Sequence, residues 1–157
     1  MGRPTILISE GHPGEAWDLA RLAEREGLKV VTDTTGRVVE LARHYQPSLI
    51  ILNVQQRAGD GLELLAGLRE NAATLQIRVV ATANHADEFA RTVCYEMGAL
   101  AFVVKPYDAS FVQVLSRLAQ GASRGSARSP HSVVRLGHFE AEPVSALALS
   151  PPAALED

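Results

Sequence analysis

Five short apolar runs, each closed by polar residues, alternate along the chain with longer stretches in which apolar residues recur every three or four positions. The central run is Leu49-Ile50-Ile51-Leu52, preceded by Pro47-Ser48 and ended by Asn53. Four consecutive apolar residues bounded in this way read as a strand covered on both faces. Residues 5–8 form a similar run that gives way to Ser9-Glu10-Gly11-His12-Pro13. Residues 28–32 are shorter in apolar character and more mixed, which places them nearer a sheet edge. Val79-Val80-Ala81-Thr82 and Ala101-Phe102-Val103-Val104 complete the set, the last closing in Lys105-Pro106.

The intervening stretches carry helical period. Pro13 suits a helix start, Ala16, Leu19, Ala20, Leu22 and Ala23 supply its apolar stripe, and Gly27 stops it after about Glu26. Gly36 or the threonines before it open a second helix through Val38, Val39, Leu41 and Ala42, closing near Tyr45. A third follows Asp60-Gly61 through Leu62, Leu64, Leu65 and Leu68, with Asp60 as N-cap and Glu63 three residues on. Gly61 marks a point where the backbone is expected to need unusual dihedrals. Residues 86–97 and 108–119 supply the fourth and fifth helices, Gly98 ending the fourth. Five strands alternating with five helices predict an α/β fold, a doubly wound parallel sheet with right-handed crossovers.

In such a sheet the carboxyl ends of the strands border the ligand crevice. Four of them end in Glu10, Asn53, Thr82 and Lys105. An acid, an amide, a hydroxyl and an ammonium on one rim form a candidate site as a set, although each alone also reads as a solvated loop residue or a cap.

Composition narrows the class. Apolar residues at 46% and charged residues at 21% suit a globular protein. A net charge of −3 gives no support for nucleic-acid binding. The single cysteine, Cys94, excludes an internal disulfide and sits in a helical pattern that buries it. No apolar run approaches the roughly 18 residues that span a bilayer, so a cytoplasmic location is expected. From Gly121 onward Ala, Ser, Pro and Gly supply 20 of 37 residues, which separates a domain at 1–120 from a flexible tail at 121–157. Within the tail, residues 133–136 are the one stretch that suits a short strand or docking segment. Arg124, Arg128 and Arg135 are too few and too spaced to imply more than a solvated linker.

The motifs Ile6-Leu7-Ile8, Pro47-Ser48-Leu49-Ile50-Ile51-Leu52, Asp60-Gly61-Leu62-Glu63-Leu64-Leu65, Ala81-Thr82-Ala83, Gly98-Ala99 and Lys105-Pro106 together resemble the CheY-like receiver domain of two-component response regulators. The resemblance covers residues 5–120 and implies a flavodoxin-like fold, a five-stranded parallel sheet of order 2-1-3-4-5 with five helices. It also implies a phosphorylation pocket. Receivers accept a phosphoryl group from a kinase phosphohistidine on an aspartate that ends the third strand, beside Mg²⁺ held with help from an acidic pair after the first strand. Here the pair position reads Glu10-Gly11 and the acceptor position holds Asn53. Thr82 matches the hydroxyl, Phe102 the switch aromatic and Lys105 the phosphoryl-contacting lysine, with Lys105-Pro106 matching the family's cis peptide.

An amide is not a carboxylate nucleophile, so Asn53 is not expected to form an acyl phosphate. Two missing carboxylates, each worth about 4 kcal/mol against an adjacent charge at an effective dielectric near 20, leave Mg²⁺ binding weak or absent. The expected pocket is degenerate, settled without metal or cofactor, with Lys105 reaching Glu10 and the Asn53 amide oxygen accepting from Lys105. His12, His85 and Glu10 are residue types that suit Zn²⁺, but no motif spacing joins them.

The resulting expectation is a pseudo-receiver, a signalling module without catalytic residues that works by protein–protein interaction. Its partner would be a histidine kinase, another signalling protein or a second copy. The face expected to serve is the one formed by the fourth helix, fifth strand and fifth helix, with Arg91, Tyr95, Glu96 and Arg117 as surface candidates, a placement that rests on the family resemblance. The alternatives are a phosphoreceiver with an atypical acceptor at Asp60 or Glu10, and a DNA-binding transcriptional regulator. No winged or helix-turn-helix pattern follows residue 120. Flavin or nucleotide binding fits poorly, because Glu10-Gly11-His12-Pro13 offers one glycine and an acid that repels phosphate.

Overall fold

In the computed structural model, residues 2–56, 60–107 and 109–123 are described, together with two short strands at 134–136 and 139–141. The order is β1 (Thr5–Ser9), α1 (Pro13–Arg25), β2 (Lys29–Asp33), α2 (Val38–Tyr45), β3 (Leu49–Asn53), α3 (Gly61–Glu70), β4 (Arg78–Ala83), α4 (Glu88–Glu96), β5 (Ala101–Val104) and α5 (Ala109–Ser123). The strands form one sheet in the order β2-β1-β3-β4-β5, and every neighbouring pair is parallel. The doubly wound sheet read from the alternation of runs, with the flavodoxin-like strand order that the family resemblance implied, is therefore the architecture present.

Period-two alternation divides the sheet's side chains between two cores. Ile6, Ile8, Leu49, Ile51, Val80 and Val103 face α1 and α5, packing on Leu19, Ala23, Phe111 and Leu115. Leu7, Ile50, Leu52, Val79 and Ala81 face the other way, onto Val38 and Ala42 of α2, Leu65 and Leu68 of α3, and Ala90 and Cys94 of α4. All five residues of β3 are buried, which is why its sequence is an apolar run and not an alternation.

Element ends follow capping chemistry. His12 is the N-cap of α1 and its Nδ1 accepts from the Glu15 backbone N–H at 3.3 Å. Asp60 caps α3, accepting from the Leu62 and Glu63 amides, and Asp87 caps α4 by accepting from the Ala90 amide. After α4 the chain turns at Gly98, whose φ of +86° lies where a side chain is disfavoured.

Gly61 departs from its expected role. It has no positive φ; instead a Cβ there would lie 2.2 Å from Cα of Val54. The glycine is required because the turn after β3 brings the start of α3 onto the backbone of β3's exit. Two further boundaries also differ from the sequence reading. β2 extends one residue past Thr32 to include Asp33, and α5 continues beyond residue 119 to Ser123.

Past α5, β6 (Val134–Leu136) and β7 (Phe139–Ala141) pair antiparallel as a separate two-stranded unit. β6 falls in the stretch singled out as a possible strand, and β7 was not expected. The remainder of the expected flexible tail, with Arg124 and Arg128, lies outside the described residues, as does Asp108 at the expected start of α5. No helix among the described residues is long and apolar enough to cross a membrane.

Candidate functional site

The strand order reverses between β1 and β3, and the crevice of an open parallel sheet opens at that reversal. Backbone hydrogen bonds carry the sheet up to this rim. The Glu10 amide donates to Asp33 O at 2.8 Å, the Val54 amide to Thr82 O at 2.9 Å and the Lys105 amide to Ala83 O at 2.9 Å. Glu10, Asn53, Thr82 and Lys105 thus gather at one end of β1, β3, β4 and β5. Glu10, Asn53 and Thr82 are buried, and Gly11 stands beside them in the turn before α1.

Asn53 is oriented by three bonds. Its Nδ2 donates to Glu10 Oε1 at 2.8 Å and to Asn84 Oδ1 at 3.1 Å, while its Oδ1 accepts from the Gln55 amide at 2.7 Å. The expected bond from Lys105 to the Asn53 amide oxygen is not the arrangement found, because that oxygen closes the turn after β3. The Lys105 ammonium instead donates to Glu10 Oε2 at 2.5 Å and also to Glu15 Oε1 on α1. The Lys105–Pro106 peptide is cis. Glu10 accordingly accepts an amide N–H on one oxygen and an ammonium on the other, which compensates its burial.

Several partners escaped the sequence reading. Asp33 is buried at the end of β2; Oδ2 accepts from Ser9 Oγ and the Arg37 amide, and Oδ1 from the amide and hydroxyl of Thr35. Gln56 Nε2 donates to Ser9 Oγ at 3.1 Å and to Asn53 O at 2.8 Å. Gln55 ties the turns after β3 and β4: Oε1 accepts from the Asn84 and His85 amides, and Nε2 donates to His85 O. The rule that polar residues end each strand would have found Asp33 had β2 been extended by one residue. For Glu15, Gln55 and Gln56 the sequence carries no comparable signal.

Thr82 Oγ1 is buried without a hydrogen-bond partner of ordinary length, as is Gln56 Oε1. The Tyr107 phenol faces the Thr82 hydroxyl, and burial raises its pKa above the ordinary tyrosine value. Tyr107 also stacks on Phe111, with centroids 4.3 Å apart. Phe102 is buried in β5, its amide donating to the Tyr95 hydroxyl at 3.1 Å.

A divalent ion of the kind receivers hold needs several free oxygen donors. Here both Glu10 oxygens and the Asn53 oxygen already accept hydrogen bonds, and Gly11 contributes no carboxylate. The donor set does not fit Mg²⁺. His12 is committed to capping α1, and no group of three His, Cys, Asp or Glu side chains suited to a metal occurs among the described residues.

The proposed surface residues divide. Glu96 and Arg117 are exposed, and Arg91 is half-buried, 3.9 Å from Glu88 and stacked over the Tyr95 ring. Tyr95 is not a surface residue: only 2% of it is exposed, because its ring fills the core between α4 and β5 and its hydroxyl holds the β5 backbone. Phe89, 66% exposed on α4, is the large apolar side chain that the reading missed. Cys94 is buried, and burial pushes its thiol pKa up to about 12. A groove of about 840 Å³ runs from the Lys105 corner between α1 and α5, floored by Leu19, Leu22 and Val112 and edged by Glu15, Asp18 and Glu26.

A switch-point rim of this kind on a 2-1-3-4-5 sheet is the layout of receiver modules. Residues 6–116 match the response regulator receiver domain, and the chain belongs to that family. It is 32% identical over 102 residues to BvgA of Bordetella pertussis, described as a positive transcription regulator of virulence factors; the match covers 64% of this chain and 48% of BvgA. It is 26% identical over 104 residues to the protein PilH of Pseudomonas aeruginosa, covering 66% of this chain and 86% of PilH. The chain thus spans about half the length of BvgA. Among solved structures, the chemotaxis response regulator CheY4 of Vibrio cholerae superposes with a TM-score of 0.66 at 17% identity, covering 74% of this chain and 98% of that one. The receiver domain of a DNA-binding response regulator from Colwellia psychrerythraea 34H gives 0.66 at 19% identity, with 76% and 98% covered. Residues 6–116 are therefore a receiver domain of the two-component type, and receiver domains are signalling modules and not enzymes in the classical sense.

Proposed function

We propose that this chain is a pseudo-receiver, a module that signals by binding protein and takes no phosphoryl group. The observation that carries the reading is Asn53 at the end of β3, with its Nδ2 2.8 Å from Glu10 and Lys105 already held by Glu10 and Glu15. An amide at this position offers no carboxylate oxygen to attack phosphorus, and the lysine that would steady an anion is neutralised by two carboxylates. An acceptor displaced to Asp60 is disfavoured by its engagement as the α3 cap, and one displaced to Glu10 by its bonds to Asn53 and Lys105. In this reading residues 1–120 act as the receiver unit and 121–157 as an appended segment. The partner is a histidine kinase, another signalling protein or a second copy, met through α4, β5 and α5, where Phe89, Glu96 and Arg117 are exposed.

Incubation with acetyl phosphate and Mg²⁺, followed by intact mass measurement, tests the proposal. The mass is expected to stay unchanged. An acid-labile gain of about 80 Da on any carboxylate would overturn it.

A further inference from the structure

β5 is the last strand of the sheet, so one of its sides has no sheet partner. Ala101-Phe102-Val103-Val104 is wholly apolar, and an apolar edge strand is a template for pairing with another chain unless something covers it. The charged residues and proline that commonly blunt such an edge are absent from β5 itself.

Two observations, the hairpin's position and the burial that goes with it, place a cover there. The first is position: β7 lies alongside β5, and β6 lies beside α5, although the hairpin's ladder remains separate from the sheet. The second is the burial of α5. Phe111, Val112, Val114, Leu115, Ser116, Leu118 and Ala119 are all buried, whereas Gln113, Arg117 and Gln120 are exposed. At about 100° per residue the buried positions span an arc of roughly 200°, against the stripe of about 100° or somewhat more that a helix resting on one layer presents. α1, which packs on the same sheet face, buries only Ala16, Leu19 and Ala23 among its apolar residues. α5 therefore has a second neighbour on the flank away from α1, where β6 lies.

We infer that the β6–β7 hairpin is an intramolecular cover for the β5 edge and the adjoining flank of α5, and that it competes for this surface with a second copy of the chain. The competition rests on the proposal that α4, β5 and α5 form the output face; the cover itself does not. In the covered state the chain is a monomer, and release of the hairpin exposes the strand for association between copies.

The test uses the full chain in wild-type form and in two hairpin-breaking forms, V134P/L136P in β6 and A141P in β7. Proline lacks the N–H that a ladder needs, and these positions lie outside the five-stranded sheet. Hydrogen exchange read by mass spectrometry should show residues 101–104 and 112–118 exchanging about tenfold faster in both variants, with β1 and β3 unchanged. Light scattering should give a monomer of 16.8 kDa for the wild type and a twofold larger mass for the variants. Unchanged exchange at β5 and α5 in both variants would overturn the inference. Faster exchange with the monomer mass retained would support the cover and overturn the competition, placing the failure in the proposed output face.

Discussion

At the scale of single residues the site is governed by who compensates Glu10. Its carboxylate is buried, and it is held by one amide N–H from Asn53 and one ammonium from Lys105. Asn53 is therefore a donor toward Glu10, a role that aspartate at the same position cannot fill. The substitution N53D replaces a 2.8 Å hydrogen bond by two facing carboxylate oxygens. Loss of a buried hydrogen bond to a charged group, with like charges left in contact, is expected to cost about 2 kcal/mol. Thermal denaturation should show a lower Tm for N53D without divalent ions, and a partial return on adding millimolar Mg²⁺, which finds two adjacent carboxylates in the variant. The wild-type melt should not respond to Mg²⁺ at the same concentration. A wild-type Tm that rises with Mg²⁺ would contradict the donor accounting at Glu10 and Asn53.

At the scale of elements, Gly61 offers the sharpest check on how the turn after β3 is built. A methyl group there would sit 2.2 Å from Cα and 2.5 Å from O of Val54, and the obstacle is backbone, which has no rotamer to yield. G61A is expected to destabilise by 3 kcal/mol or more, at the upper end of the usual range for overpacking; urea denaturation would measure it, and a change below about 0.5 kcal/mol would mean that the turn opens freely. The sequence made the elements legible because each apolar run is a strand and each 3.6-period stripe a helix, and β3, buried on both sides, is the plainest case. It did not make legible the contacts that long side chains make across turns. Arg69 reads as an ordinary basic residue in the last turn of α3, yet its guanidinium donates to the carbonyls of Met97, Leu75 and Ile77 and so ties the end of α4 to the entry of β4. Tyr95 is a similar case: an amphipathic side chain at a helix position expected to face solvent, drawn inward because its hydroxyl meets the β5 amide. In both cases the polar tip marks a hydrogen bond at the end of an apolar stem and not exposure.

At the scale of the whole molecule, Lys105 joins parts of the chain that lie far apart in sequence. Its ammonium meets Glu10 after β1 and Glu15 on α1, separations of 95 and 90 residues. The two contacts are unequal in setting. The Lys105 and Glu10 side chains are 14% and 7% exposed, whereas Glu15 is 49% exposed and its charge is screened by solvent. Removing the lysine therefore leaves one carboxylate buried with a single neutral donor, and that loss dominates. K105A is expected to destabilise by about 3 kcal/mol, the cost of stripping one partner from a buried pair. E10Q alone leaves an ammonium that still has Glu15 and can turn toward water, so its cost should be smaller. In the double variant K105A/E10Q the buried charge is gone together with its partner. Its stability should lie above that of K105A, giving a coupling energy of at least about 1 kcal/mol in the double-mutant cycle, read from urea denaturation of the four proteins. E15Q in place of E10Q should show a coupling near zero, since the exposed carboxylate tolerates loss of its partner. Equal coupling for Glu10 and Glu15 would mean that the corner behaves as a solvated ion cluster. The asymmetry predicted here instead makes the Glu10–Lys105 pair the fixed post of the rim, around which an amide at position 53 is the complementary choice.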